Sequence, residues 1–197
     1  MKQDEQSLVE ALHRGDRYAC DDLVQRFTRR IYNVALRVTG QPDEAEEVLQ
    51  ETFINACRGV ENFQGRSSLS TWLYRIATNN GLMRLRRRQV QSAPLDAFSL
   101  DPEAEFRPRQ LEDWEWNPET VTLTDELRQV MDEAVASLPD SLRTAFILRD
   151  LEGLSTKEAA EVMGISPGNL KVRLHRARLM LREYLANYFD DGAEDKA

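Results

Sequence analysis

Apolar residues recur along this chain at intervals of three and four, and nowhere do they alternate with polar residues over the length of a strand. That spacing lines one side of a helix with 3.6 residues per turn, so it predicts an all-α protein. Leu8, Val9 and Leu12 give a first amphipathic turn before Gly15. Leu23, Val24, Phe27, Ile31, Val34, Ala35 and Val38 give a longer stripe that stops at Gly40. Pro42 opens a third helix reaching to about Arg58, and Asp43, Glu44, Glu46 and Glu47 crowd its first turns, where the helix dipole favours negative charge. After a polar break, residues 62–70, a fourth helix carries Leu69, Trp72, Leu73, Ile76, Ala77 and Met83 on its apolar side. Gly81 lies inside that helix at a cost of roughly 1 kcal/mol relative to alanine, which either a close approach of DNA backbone or a local irregularity would explain.

The pattern then breaks and returns. Pro94, Pro102, Pro108 and Pro118 interrupt any helix, and acidic residues accumulate between them. Periodicity resumes at Leu123, Leu127, Val130, Met131, Ala134 and Leu138, with Pro139 starting a further helix that ends near Gly153. The expected organisation is therefore two small helical domains, residues 1–90 and 119–190, joined by an acidic flexible linker at 91–118 and followed by a frayed acidic tail at 191–197.

Within the second domain, Ser155-Thr-Lys-Glu158 has the form of a capping box, in which the serine hydroxyl and the glutamate each satisfy a free amide of the first turn. The short helix it opens is stopped by Gly164, and Ser166-Pro167 starts another within three residues. Two short helices around so tight a turn form a helix-turn-helix. In the second of them Leu170, Leu174, Ala177 and Leu181 make the buried stripe, leaving Asn169, Lys171, Val172, Arg173, His175 and Arg176 outward. A helix entering the major groove needs such residues: Lys171 and Arg173 suit guanine edges, Asn169 suits adenine, and Arg176 and Arg178 suit phosphates. His175 serves equally well as a surface histidine.

Charge sharpens this picture. The chain has a formal net charge of -8, yet residues 62–95 and 162–182 contain no Asp or Glu. The first window holds Arg66, Arg75, Arg84, Arg86, Arg87 and Arg88, and the second holds Lys171, Arg173, Arg176, Arg178 and Arg182. Carboxylates beside phosphates cost Coulomb energy, whereas Lys and Arg there release condensed counterions, so both windows point to nucleic acid. Residues 91–120 carry 2 basic against 8 acidic side chains and account for most of the acidity.

Three motifs in order now support a resemblance: Asp43-Glu-Ala-Glu-Glu-Val-Leu-Gln-Glu-Thr-Phe53, Ser68-Leu-Ser-Thr-Trp-Leu-Tyr-Arg-Ile-Ala77, and Gly153-Leu-Ser-Thr-Lys-Glu-Ala-Ala160 with Lys171-Val-Arg-Leu-His-Arg-Ala-Arg178. The chain resembles the extracytoplasmic-function (ECF, group IV) sigma factors of bacterial RNA polymerase, of sigma-E type. The resemblance implies that the domains are sigma region 2 and region 4, reading the -10 and -35 promoter elements. It implies polymerase docking by the third helix, through Glu47, Gln50 and Glu51, which share one exposed face at i, i+3 and i+4; without it, these residues read as a solvated acidic helix start. It implies capture of an unstacked base by the loop before the fourth helix, where Phe63 would stack and Gln64, Arg66, Ser67 and Ser68 would meet base edges. Trp72, Asn79 and Asn80 match the promoter-facing positions that follow, although Trp72 also fits the core at i+3 from Leu69. Arg84, Arg86, Arg87 and Arg88 ring the helix and suit phosphate clamping. Housekeeping sigmas carry two adjacent tryptophans where this chain has Trp72-Leu73, which implies weaker melting and stricter promoter demand.

The expected partners are core RNA polymerase, promoter DNA and an anti-sigma factor that holds the protein inactive. The linker suits either the basic channels of the polymerase or a plain spacer, and Trp114 and Trp116 are expected to dock on polymerase, on a regulator or on the protein's own domains. No Gly-rich phosphate loop, catalytic constellation or metal-ligand spacing is present, so no enzyme activity, cofactor, metal or small-molecule ligand is expected. Cys20 and Cys57 have no metal-ligand neighbours, and in a reducing compartment both read as small buried hydrophobes rather than a disulfide. No apolar run approaches the roughly 18 residues that span a bilayer and the first residues do not form a signal peptide, so a cytoplasmic location without membrane insertion is expected. A free-standing helix-turn-helix regulator with a helical sensory domain is the alternative, and it leaves the arginine-rich fourth helix without a role.

Overall fold

Helix α2 (Ala19–Thr39) is the element around which the first half assembles, because Leu23, Phe27, Ile31, Val34, Ala35 and Val38 of its stripe are buried, whereas Val24, expected among them, is 37% exposed. The structure, a computed structural model, describes residues 3–92 and 125–194, and those residues form helices and turns without a strand. Helix α1 (Gln3–His13) packs on α2, which ends at Gly40; φ of 74° lets the Gly40 amide turn back to the Leu36 carbonyl. Pro42 then opens α3 (Pro42–Gly59), and a single 3-10 turn, Val60–Asn62, leads into the loop before α4 (Leu69–Ser92). The second half comprises α5 (Asp125–Ser137), α6 (Asp140–Phe146) continuing as a π-helical turn through Leu151, α7 (Thr156–Met163) and α8 (Pro167–Glu194). Helix α8 runs beyond the expected tail boundary at 191. Its interior Gly192 costs only about 1 kcal/mol and breaks no ladder hydrogen bond. The acidic segment of residues 93–124, with Trp114 and Trp116, lies outside the described residues.

The two helical units share one continuous core. Leu23, Ile31, Leu69 and Leu73 of the first are fully buried together with Phe146, Ile147, Leu148 and Leu170 of the second, and α4 meets α7 while α2 meets α6. Met83 and Gly81 of α4 behave differently from the sequence expectation. Met83, placed on the apolar side of α4, is 50% exposed. Gly81 is explained by neither DNA nor irregularity: a Cβ there would sit 2.9 Å from Cγ1 of Val38, so the glycine is what lets α4 lie against α2.

Cys20 and Cys57 also depart from expectation, since they are joined as a disulfide. Helices α2 and α3 run antiparallel from the Gly40 turn, which brings the start of one to the end of the other. The Cα atoms are 6.0 Å apart, within the range a disulfide spans, and both residues are half-buried.

Candidate nucleic-acid and polymerase interfaces

The helix-turn-helix is built as its sequence dictates. Ser155 accepts from the Glu158 amide at 3.2 Å while its own amide donates to Glu158 at 2.9 Å, completing the capping box. Gly164, at φ 67°, stops α7 by returning its amide to the Ala160 and Glu161 carbonyls. The Ser166 hydroxyl accepts from the Asn169 amide at 3.2 Å and starts α8. Leu170, Leu174, Ala177 and Leu181 face the core. Lys171 and Val172 are exposed, and Asn169, Arg173, His175 and Arg176 are half-buried along the same helix. Arg173 donates to the Asn169 side chain at 3.1 Å, which holds both at the first turns of α8 in a common orientation. Arg178, expected on phosphate, makes a two-pronged pair with the largely enclosed carboxylate of Asp150 at 2.9 Å on each arm, so in this structure its guanidinium ties α8 to the turn after α6.

The loop before α4 is more occupied than its sequence suggests. Phe63, expected to stack on a base, is 3% exposed and lies against Trp72 with ring centroids 5.1 Å apart. Trp72 is itself half-buried against the core. The ring of Phe63 is therefore a support for Trp72. The hydroxyl of Ser68 caps α4, accepting from the Thr71 amide at 3.1 Å and lying 2.9 Å from Ser70 Oγ, rather than facing a base edge. Gln64, Arg66 and Asn79 are exposed, as are Arg86 and Arg87, whereas Ser67 and Asn80 are half-buried. The amide nitrogen of Asn80 is buried with no hydrogen-bond partner.

Helix α3 presents Glu47 and Gln50 to solvent with Glu51 beside them. Arg84, expected to clamp phosphate, lies across this acidic pair instead: one arm meets Glu47 and the other donates to Glu51 at 2.7 Å. Burial lowers the Arg84 guanidinium pKa, but the hydrogen bonds to Glu51 and Glu47 outweigh that and raise it above the ordinary value. Arg88 pairs with Glu44 at 3.6 Å one turn further on. Of the four arginines between residues 84 and 88, Arg84 and Arg88 thus face α3, and Arg86 and Arg87 remain on the outer side. Ile54, one turn beyond Gln50 and Glu51, is 48% exposed and extends their face with an apolar group.

Sequence reasoning missed the residues that join the two units. Arg143, 7% exposed, donates to the Ala136 carbonyl at 2.9 Å, to Asp140 at 2.6 Å and to the Val38 carbonyl of α2 at 3.0 Å. Burial holds its guanidinium below the ordinary value, with Asp140 opposing the shift. Tyr74 of α4 donates to Glu152 at 2.6 Å, and its pKa is raised first by burial and then by that hydrogen bond. Thr71 donates to Glu158 at 3.4 Å. Tyr74, Glu152, Thr71 and Glu158 edge a polar cavity of about 380 Å³ that also takes in Arg30, Ser68 and Ser70. The one sequence signal was Arg143 itself, an arginine in the apolar run from Leu142 to Leu148. Among the described residues, no cluster of three or more metal-ligating side chains occurs and no helix is long and apolar enough to cross a membrane.

Comparison with known proteins places both units. Residues 15–90 match the sigma-70 region 2 family and residues 128–181 match sigma-70 region 4. The chain is 38% identical over 177 residues to the RNA polymerase sigma-H factor of Pseudomonas aeruginosa, covering 90% of this chain and 91% of that one. It is 36% identical over 177 residues to the ECF RNA polymerase sigma-E factor of Haemophilus influenzae, covering 90% and 93%. Among solved structures, CnrH in complex with the cytosolic domain of CnrY has a similar fold, with a TM-score of 0.64 at 22% identity over 93% of this chain and 97% of that chain. So does the sigma factor RpoE in complex with the anti-sigma factor NepR from Bartonella quintana, with a TM-score of 0.65 at 24% identity over 86% and 98%.

Proposed function

This chain belongs to the ECF sigma factors of the sigma-70 family, and on that premise we propose how its surfaces divide the work of binding core polymerase and directing it to promoters. Helix α3 docks on the polymerase through Glu47, Gln50 and Glu51. Gln64, Arg66, Ser67, Trp72, Asn79 and Asn80 hold the opened -10 strand, with Arg86 and Arg87 on phosphates. Helix α8 reads the -35 duplex through Asn169, Lys171, Val172 and Arg173, with His175 and Arg176 at the flank. The observation that carries this assignment is the start of α8, where exposed Lys171 and Val172 and half-buried Asn169 and Arg173 stand just beyond the Gly164 turn, in a stretch with no carboxylate from residue 162 to 182. The protein performs no chemistry of its own and works where the polymerase is, in the cytoplasm. An anti-sigma partner controls it, as the complex of the similarly folded RpoE with NepR suggests.

Incubating the protein with core polymerase and a promoter library tests the assignment: sequence-specific run-off transcripts are expected. A free-standing regulator would yield none without another sigma factor. Lys171→Ala with Arg173→Ala should keep polymerase binding and lose -35 discrimination at a cost of about 1–3 kcal/mol per contact. Docking is best tested with Gln50→Ala, because reversing Glu47 or Glu51 would set a new cation against Arg84 and disturb the α3–α4 packing as well. Undiminished polymerase affinity in Gln50→Ala and in Glu47→Gln would place the docking face elsewhere.

A further inference from the structure

We propose that Cys20 and Cys57 form a reversible redox site, a thiol–disulfide pair that clamps the open end of the α2–α3 hairpin and thereby sets how firmly the first helical unit is held. They are the chain's two cysteines, 37 residues apart in sequence, and the fold brings their Cα atoms to 6.0 Å. The same separation accommodates two free thiols as neighbouring small side chains, so the backbone need not move between the states. Both residues are half-buried, which admits a small-molecule oxidant or reductant, whereas Ala19 and Ala56 beside them are buried.

The position gives the bond its effect. The chain closes the α2–α3 hairpin at Gly40, and the disulfide closes it at the far end. One turn past Cys57 the Val60 carbonyl lies 3.1 Å from the His13 ring nitrogen of α1, so three elements converge there. The 3-10 turn that follows carries the chain to Phe63 and its contact with Trp72. The oxidant is a low-molecular-weight disulfide such as glutathione disulfide. One protein thiolate attacks it, releasing one glutathione thiol and leaving a mixed disulfide; the second protein thiolate attacks that, releasing the second. Two protein thiols lose two electrons and two protons, and one glutathione disulfide becomes two glutathione thiols. Excess thiol reverses each step.

The test uses the full chain. Equilibrated in glutathione buffers from fully reduced to fully oxidised and quenched with a maleimide, it should pass from two labels to none in intact mass while remaining monomeric on a non-reducing gel. The oxidised form should melt roughly 5 to 15 °C above the reduced form and return to the lower midpoint on reduction. Cys20→Ser with Cys57→Ser should melt at one temperature in every buffer. Two labels at every ratio, disulfide-linked dimers in place of the internal bond, or equal melting of the two wild-type forms would each overturn the proposal. Neither the labelling nor the melting depends on promoter or polymerase, so the outcome stands apart from the assignments above.

Discussion

Gly81 stands where α4 crosses α2, and the neighbour that requires it is Val38, a β-branched side chain 1% exposed and stiff about its first torsion. In an exposed helix Gly→Ala would stabilise by about 1 kcal/mol. Here the added methyl would meet Val38 at 2.9 Å, and overpacking of that kind costs about 1–3 kcal/mol. Gly81→Ala is therefore expected to lower stability by about 1 kcal/mol net in urea titration, and Val38→Ala in the same chain should relieve the clash. Additivity of the two changes would show that the contact carries no strain. Phe63 and Arg84 make the same point for polar and aromatic groups. Their types suit DNA, but partners distant in sequence, Trp72 for one and Glu47 with Glu51 for the other, have already engaged them. Local sequence names what a side chain can do, and its neighbours in space choose.

At the level of elements, the capping box of α7 does two things. It satisfies the first amides of the helix, and it positions the Glu158 carboxylate to accept from Thr71 across the junction. The hydrogen bond from the Ser155 hydroxyl, then that from the Ser155 amide, holds Glu158 below its ordinary pKa. A depressed carboxylate contributes stability that is present above the ordinary value of 4.5 and is lost as pH falls through the lower folded-state value. Ser155→Ala should cost about 1 kcal/mol at neutral pH and flatten the acid limb of the stability profile, as measured by circular dichroism. An unchanged acid limb would mean that Glu158 titrates as an ordinary surface carboxylate. The helix-turn-helix was legible in sequence because each of its signals acts within four residues: capping box, left-handed glycine, serine cap. The pairing of Arg178 with Asp150, 28 residues away, was not.

As a whole molecule the chain is closed, with its two units sharing a core and joined by Tyr74–Glu152, Thr71–Glu158 and Arg143–Val38. The proposed reading of -10 and -35 elements requires more reach than this. About 25 base pairs span roughly 85 Å at 3.4 Å per pair, against a radius of gyration of about 16 Å for a compact chain of this length. The units must part to engage both elements, so the polar contacts at the junction resist the active arrangement. Tyr74→Phe with Arg143→Ala should enlarge the scattering radius of the free chain relative to wild type; superimposable curves would show that these two contacts are not what holds the units together. The raised Tyr74 pKa adds a pH signature of opposite sign to that of Glu158: its stabilisation is complete below the ordinary phenol value of 10.0 and is lost as pH rises through the higher folded-state value. Tyr74→Phe should remove that alkaline loss. The sequence by itself determined the helices, most of their buried stripes, the helix-turn-helix and the two stretches of chain without a carboxylate, because periodicity, caps and local composition act over a few residues. Only the tertiary structure decided that Gly81 admits α2, that Arg84 belongs to α3, that Cys20 meets Cys57 and that Arg143 joins the two units. Those outcomes depend on which distant side chains come within a few ångströms, and no spacing along the chain encodes that distance.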